Sequence, residues 1–137
     1  MYLLDTNACI RFLNRSSEPL VQRLKACAPD DIRLSSVVKA ELVYGAHRSA
    51  RVADNLRLLA RFFKPFAAMP FDDRCLDSYG RIRSDLERIG TPIGPNDLLI
   101  AATAMAHDMT LVTHNTDEFG RIPGLEIVDW EAVQPEG

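Results

Sequence analysis

Short apolar runs alternate with amphipathic segments along the whole chain. Five apolar runs predict strands, namely Tyr2–Asp5, Ile32–Ser35, Phe66–Met69, Thr110–Thr113 and Leu125–Val128. Six segments with apolar residues at helical spacing predict helices, namely Thr6–Leu13, Pro19–Ala28, a helix capped by Ser35 or Ser36 that runs to about His47, Arg51–Lys64, Asp72–Ile89 and Asn96–His107. Because strands separated by helices are joined by right-handed parallel crossovers, this order predicts a three-layer α/β/α sandwich with a small, mainly parallel central sheet.

Length and composition are those of one globular domain. The 137 residues are 47% hydrophobic, which is enough for a single core. We expect the domain to span residues 1–132 and residues 133–137 to form a short C-terminal tail. Cys9, Cys27 and Cys75 are widely spaced and include no CxxC pair, a pattern that favours a reducing compartment over a disulfide framework or a zinc site. With no secretory signal or membrane-spanning run, we expect a cytoplasmic protein without a membrane partner.

Charge is unevenly distributed, although the net charge is only −3. Residues 91–137 carry one arginine, Arg121, and eight acids, namely Asp97, Asp108, Asp117, Glu118, Glu126, Asp129, Glu131 and Glu136. Residues 48–64 carry one acid, Asp54, and five basic residues, namely Arg48, Arg51, Arg57, Arg61 and Lys64. An acidic pocket beside a basic helix suits a metal-dependent enzyme that acts on a phosphate chain. The same arginines could instead form an ordinary solvated helix face.

Three carboxylates lie beside or within apolar runs. Asp5 ends the first predicted strand, Glu41 interrupts the apolar run 37–44, and Asp97 lies in the first turn of its helix. Ligands of parallel α/β sheets bind beyond the carboxyl ends of the strands, so the topology could bring all three to one edge. Their repulsion at neutral pH would then be relieved by a proton or by a bound cation. The pattern therefore predicts a metal site.

Each acid also has a simpler explanation. Asp5 and Asp97 could merely cap the helices that they begin. Glu41 is harder to explain in this way, because its neighbours one helical turn away are uncharged: Val37, Val38, Tyr44 and Gly45. A carboxylate on an apolar stripe is costly unless another group satisfies it. The three positions together favour a site.

Four stretches of the sequence resemble a known family. These are LLDTN at the start, SSVVKAELVYGA, YGRIRSDLERIGTPIGPNDLLIAATA and LVTHNTDEFGRIPGLEIVDW. Together they resemble the PIN-domain ribonucleases, specifically the VapC toxins of bacterial toxin–antitoxin pairs. The similarity runs from about Met1 to Trp130. It implies a PIN-like fold and an Mg²⁺- or Mn²⁺-dependent endoribonuclease that inhibits translation.

The resemblance implies roles for particular acids. Asp5 and Asp97 match the family's direct metal ligands, and Glu41 matches an acid placed in the outer coordination sphere or at a second metal ion. All three are expected to be catalytic. A carboxylate, amide and water shell suits a hard cation such as Mg²⁺ or Mn²⁺.

The fourth acid has three candidates in the sequence. In close VapC relatives an acid directly precedes the phenylalanine of the loop after the fourth strand, which selects Glu118 as the fourth catalytic residue. More distant relatives have an aspartate where this chain has Asn115, and Asp117 is the third candidate. Further residues are expected to hold the acids by hydrogen bonds, namely Thr6, Asn7, Ser36 and Thr113.

The expected chemistry is hydrolysis by activated water. Water rather than the ribose 2′-hydroxyl would attack the phosphorus, so the products would carry a 5′-phosphate and a 3′-hydroxyl. Glu41 or Glu118 could orient the water or accept its proton. His47 and His107 fall near predicted helix ends, where surface or capping roles are expected.

Arginines are the candidates for RNA binding. Those in the basic segment would contact the phosphate backbone without reading sequence, and they are Arg48, Arg51, Arg57 and Arg61. Arg83 lies within the part that resembles the family and could reach a phosphate, or it could pair with Glu87 one turn later.

Partners follow from the resemblance. VapC toxins are inhibited by a VapB antitoxin whose tail fills an apolar groove, and homodimers are usual in the family. Apolar residues in 37–44 and 56–63 could line such a groove or pack in the core. The expected substrate is a structured RNA, with tRNA the family's frequent target. The alternatives are a PIN-type nuclease for DNA or flaps, and a catalytically silent PIN fold that binds only antitoxin and operator DNA.

Overall fold

A parallel β-sheet forms the centre of the computed structural model, which describes residues 1–132. The strands of this part of the chain are β1 (Tyr2–Leu4), β2 (Ile32–Ser35), β3 (Ala67–Met69), β4 (Thr110–Val112) and β5 (Ile127–Val128). They lie in the order β3-β2-β1-β4-β5, and every neighbouring pair is parallel. All five carboxyl ends therefore lie at one edge of the sheet.

Helices connect the strands and flank the sheet. In the described chain they are α1 (Thr6–Asn14), α2 (Glu18–Ala26), α3 (Ser36–His47), α4 (Val52–Phe63), α5 (Leu76–Arg88), α6 (Pro95–Ala106) and α7 (Thr116–Phe119). Two single 3₁₀ turns, Pro29–Asp31 and Asp73–Cys75, precede β2 and α5. The α/β architecture expected from the sequence is confirmed.

Both faces of the sheet are covered. Leu3 and Leu4 are adjacent in β1, so their side chains point to opposite faces, yet each is 0% exposed. Leu111 and Val112 in the neighbouring strand β4 are buried in the same way. Continuous burial of this kind is typical of a parallel sheet between two helical layers. The core thus fixes β1 and β4 side by side at the centre of the molecule.

Two elements differ in kind from the sequence prediction, and several strands are shorter than predicted, such as β5, which begins at Ile127 rather than Leu125. The segment predicted as one helix, Asp72–Ile89, begins with a 3₁₀ turn, in which the side chain of Asp72 accepts a hydrogen bond from the N–H of Arg74. Regular helix starts only at Leu76. The residues after β4 form the short helix α7 rather than an open loop, because the side chain of Asn115 caps them.

No helix within residues 1–132 combines the length and apolar character needed to cross a bilayer. The expected tail, residues 133–137, lies outside the described residues.

Candidate active site

Two site residues, Asp5 and Thr113, follow the carboxyl ends of the neighbouring strands β1 and β4. Leu4 pairs with Val112 in the sheet register, and the N–H of Asp5 donates to the carbonyl of Val112 at 3.1 Å. Asp5 and Thr113, one position beyond each strand, are consequently neighbours. Both are buried.

The buried carboxylate of Asp5 caps a helix and also lies at the candidate site. Its Oδ1 accepts the backbone N–H of Ala8 at 2.8 Å, so the side chain caps α1 as the simpler explanation predicted. Burial nevertheless raises the pKa of Asp5, against the lowering effects of Thr113 and the Ala8 N–H. Capping of α1 is therefore compatible with a place in the site, because the cap uses only one of the two carboxylate oxygens of Asp5.

Glu41 reaches the same edge from α3. The hydroxyl of Thr6 donates to its Oε1 at 2.6 Å. The two residues line a cleft of about 490 Å³ with Asn7, Tyr44 and Asn96. Glu41 thus faces an open, solvent-filled space large enough for part of a polymeric substrate, not the closed core.

Asp97 interacts electrostatically with the other three acids of the site. Its pKa is raised from 3.8 to about 7, first by burial, then by a hydrogen bond and charge repulsion from Glu118, and then by the charges of Glu41 and Asp5. Two carboxyl groups that share a hydrogen bond must share a proton. The four acids selected from the sequence therefore act on one another across a single site.

Two donors hold the carboxylate of Glu118. Partial burial would raise its pKa, but the pKa is lowered overall by the amide of Asn115, the N–H of Gly94 and the hydrogen bond with Asp97. The Asn115 amide donates to Oε2 at 2.8 Å, and Gly94 N–H donates to Oε1 at 3.1 Å. Glu118 is thus the ionised partner of Asp97, and Asn115 orients it.

The donor set fits a hard divalent cation. Carboxylate oxygens dominate the site, where burial and the nearby charges of Glu118, Glu41 and Asp5 raise the pKa of Asp97. A bound cation would offset this accumulation of negative charge. In the described chain no three of these four carboxylates place oxygens within 4.8 Å of one another. A spread arrangement leaves room for a hydrated divalent cation that binds through one or two carboxylates.

Comparison with known proteins agrees with this geometry. A family model described as "PIN domain" matches residues 2–125. The chain is 39% identical over 132 residues to the ribonuclease VapC2 of Rickettsia felis, an alignment that covers 96% of this chain and 98% of the relative. This chain belongs to the PIN-domain family, among the VapC ribonucleases.

Two further comparisons extend the match. The tRNA(fMet)-specific endonuclease VapC of Salmonella typhimurium is 36% identical over 129 residues, with coverage of 94% of this chain and 97% of the relative. A crystal structure of VapBC2 from Rickettsia felis bound to a promoter DNA fragment superimposes with a TM-score of 0.88 and 39% identity, covering 94% of this chain and 98% of that one. The VapC fold therefore extends over nearly the whole chain.

The remaining predicted residues have varied surroundings in this VapC-family chain. Asn7 lines the Glu41 cleft, and Ser36 is the exposed first residue of α3, which is capped by the buried Ser35. Asp117 is exposed. Thr113 accepts the N–H of Asn115 at 3.0 Å and so connects β4 to the loop that carries Glu118.

The arginines proposed for RNA binding lie mostly at the surface. Arg48 follows α3 and lies over the ring of Tyr44, which lines the cleft. Arg57 forms an ion pair with Asp54. Arg83 pairs with Glu87 at 2.8 Å, the competing arrangement that the sequence allowed. Arg51 directly precedes α4, and Arg61 lies in the last turn of that helix.

Sequence reasoning missed several neighbours of the site. Glu131 follows β5, repels Asp5 electrostatically and pairs with Arg11 at 2.7 Å. Its position just beyond the last strand could have revealed it, because that strand ends at the same sheet edge. The backbone N–H of Gly94 carries no side-chain signal and could not be found from residue type.

Proposed function

We propose that this chain is an Mg²⁺- or Mn²⁺-dependent endoribonuclease and the toxin of a VapBC-like toxin–antitoxin pair. The observation that supports this best is the raised pKa of Asp97, since burial beside Glu118, Glu41 and Asp5 leaves a carboxyl that a cation would stabilise. A structural role alone would not require four acids at the open edge of a sheet.

Residues 1–132 supply the parts of a hydrolytic site. Asp5 and Asp97 are the proposed metal ligands, and a bound Mg²⁺ or Mn²⁺ would supply Lewis-acid activation of water and charge neutralisation at the phosphate. Thr6 fixes Glu41 in the cleft, and Asn115 fixes Glu118. Either glutamate can accept a proton from the attacking water. Hydrolysis would leave a 5′-phosphate and a 3′-hydroxyl.

The proposed substrate is a structured RNA, with tRNA as the first candidate. A relative 36% identical to this chain is named a tRNA(fMet)-specific endonuclease. The cleft beside Glu41 includes the exposed aromatic ring of Tyr44, on which an unpaired base could stack, and Arg48 beside it could neutralise a phosphate. These features favour cleavage within an unpaired loop of the RNA.

The proposed inhibitor is a VapB-like antitoxin. The Glu41 cleft continues, through Ile10, into an apolar groove of about 170 Å³ between α1, α3 and α4. Ile10 and Leu58 are each 39% exposed there. An extended or helical segment with apolar side chains would cover this groove, and a basic side chain on it could reach the acids. The similar solved structure from Rickettsia felis is named as VapBC2 bound to a DNA fragment from their promoter.

A homodimer is the proposed assembly of the toxin. Leu76 and Ile89, at the start and just past the end of α5, are 55% and 62% exposed. Exposed apolar side chains at both ends of one helix suit a symmetric contact between two copies.

Sequencing of RNA 5′ ends after a pulse of expression tests the function. We expect new 5′-phosphate ends at a small number of RNA sites with the natural chain and their absence with Asp5→Ala. In vitro, RNA should be cut in Mn²⁺ while a DNA of the same sequence is not. Equal cleavage by both proteins, or preference for DNA, would reject the proposal.

A further inference from the structure

Three metal-binding side chains of different type meet at the end of α6 opposite Asp97. The nearest ligand atoms of Asp72, Cys75 and His107 all lie within 4.8 Å of one another. Asp72 and Cys75 bound the 3₁₀ turn before α5, and His107 caps the C-terminus of α6. His107 follows Asp97 by ten positions along α6, a rise of about 15 Å, so this cluster is distinct from the acidic site.

The imidazole of His107 has an unsatisfied nitrogen. Its Nε2 is buried and has no hydrogen-bond partner among the described residues. A buried polar atom without a partner costs free energy, and such atoms in native proteins call for an explanation such as a water or an ion. The nitrogen that lacks a partner is also one that imidazole uses to bind metals.

The thiol of Cys75 faces the same space. Cys75 is 0% exposed, and its Sγ has only weak contacts, at 3.9 Å to the carbonyl of Pro70 and at 4.0 Å to Oδ1 of Asp72. Two ligand atoms of a tetrahedral zinc site, each 2.0–2.3 Å from the ion, are separated by roughly 3.3–3.8 Å. The 4.0 Å distance between Sγ of Cys75 and Oδ1 of Asp72 is within a few tenths of an ångström of that range.

We propose that Asp72, Cys75 and His107 form a second metal site, selective for a borderline transition ion such as Zn²⁺. One thiolate, one imidazole and one carboxylate suit Zn²⁺ or Co²⁺, whereas the all-oxygen acidic site suits Mg²⁺. Asp72 reaches solvent, so water can complete a tetrahedral shell. Binding releases the Cys75 proton to solvent.

The proposed site would act as a clamp between two helices. Asp72 and Cys75 belong to the turn that starts α5, while His107 ends α6, and these two helices pack against each other. A bound ion would join the beginning of one to the end of the other. Sequence spacing argued against zinc because no CxxC pair is present, but ligands from separate elements need no such spacing.

Cobalt titration of the full-length protein in excess Mg²⁺ tests the proposal. The excess Mg²⁺ is added to occupy the acidic site. Co²⁺ bound to a thiolate produces a charge-transfer absorption, whereas Co²⁺ bound only to oxygen ligands does not. We expect one Co²⁺ per chain with this absorption, its displacement by Zn²⁺, and a higher melting temperature in Zn²⁺ than without it.

Matched variants separate this site from other cysteines. Cys75→Ser should remove the absorption, and His107→Gln should weaken binding by more than about 100-fold, since even residues that only support a ligand are worth 10- to 100-fold. Asp72→Asn keeps a side chain that can cap the turn but weakens binding at least about tenfold. Cys27→Ser, which removes a cysteine outside the cluster, should match the natural protein.

Two results would overturn the second site. One is the lack of any thiolate absorption when Co²⁺ is added to the natural protein. The other is binding by His107→Gln and Asp72→Asn that equals binding by Cys27→Ser. Mg²⁺-dependent RNA cleavage by Cys75→Ser, measured alongside, distinguishes failure of this site from failure of the proposed nuclease function.

Discussion

The hydroxyl of Thr6 donates a 2.6 Å hydrogen bond to Oε1 of Glu41, although 35 positions separate them in the chain. Thr6 is the first residue of α1, directly after Asp5, so one short segment supplies both an acid and the support for another. The link ties α1 to α3 at the edge of the cleft. It explains how Glu41 is held on a largely apolar helix face, where its neighbours one turn away are uncharged.

Removing this link should affect catalysis more than folding. Thr6→Val keeps the shape of the side chain but leaves Glu41 free to rotate, and we expect kcat for RNA cleavage to fall about tenfold or more. The loss of one hydrogen bond should lower the free energy of unfolding by about 1 kcal/mol. Thr6→Ser keeps the hydroxyl and serves as the control. Similar kcat values for the valine and serine variants would contradict a positioning role.

The raised pKa of Asp97 predicts an unusual pH dependence of stability without divalent cations. The folded chain holds a proton on Asp97 up to about pH 7, whereas the unfolded chain releases it near pH 3.8. Because the folded state binds this proton more tightly, the contribution of Asp97 to stability falls as pH rises from about 4 to 7. The raised pKa of Asp5 acts in the same direction.

Asp97→Asn tests this dependence. At pH 8 without divalent cations we expect the variant to be more stable than the natural chain by about 1–2 kcal/mol, a figure reduced for the screening by water at a partly buried carboxyl. The advantage should shrink towards pH 4, and Mg²⁺ should stabilise only the natural chain. Urea unfolding at both pH values measures the effect, with exposed Asp117→Asn as the control. A constant difference across pH would disprove the assignment.

Substitutions in the loop after β4 identify the fourth acid. Glu118 contacts Asp97 and is held by Asn115 and Gly94, whereas Asp117 is exposed. Glu118→Gln should lower kcat about 100-fold or more, and Asp117→Asn should leave it within about twofold. Single-turnover cleavage of a tRNA substrate measures both. The opposite order of the two effects would move the role to Asp117.

Arg48 should contribute to RNA affinity without contributing to the chemical step. Its guanidinium lies over the Tyr44 ring at the cleft, close enough to meet a phosphate beside a stacked base. Arg48→Gln should weaken RNA binding and reduce the slope of log affinity against log salt by about 1, with kcat unchanged. Arg81→Gln, which removes an exposed cation paired with Asp77 on α5, is the control. An equal salt dependence for the two variants would exclude the contact.

Much of the fold followed from local pattern. Strand β2 was predicted with its observed bounds, and the helix begun by Ser35 ends at His47 as expected. The start of α5 was predicted less well, because a side-chain hydrogen bond at Asp72 imposes a 3₁₀ turn on a segment with helical spacing. The short helix α7 depends on a single cap, Asn115, within a sequence that reads as a loop.

The sequence by itself determined which residues could carry the chemistry. The alternation of strands and helices predicted parallel strands, and it allowed Asp5, Glu41 and Asp97 to converge at one edge of the sheet. Such periodic signals depend only on nearby residues, so they can be read without knowing the folded structure. The roles of these acids as ligands and bases remain predictions for the experiments above.

Only the tertiary structure decided the contacts between distant residues. It joined Thr6 to Glu41, placed Glu118 rather than Asp117 against Asp97, and brought Cys75 to His107. These pairings depend on the register of β1 against β4 and on how α5 packs against α6. Side-chain distances across separate elements are set by packing in the core, and no local pattern of residues encodes them directly.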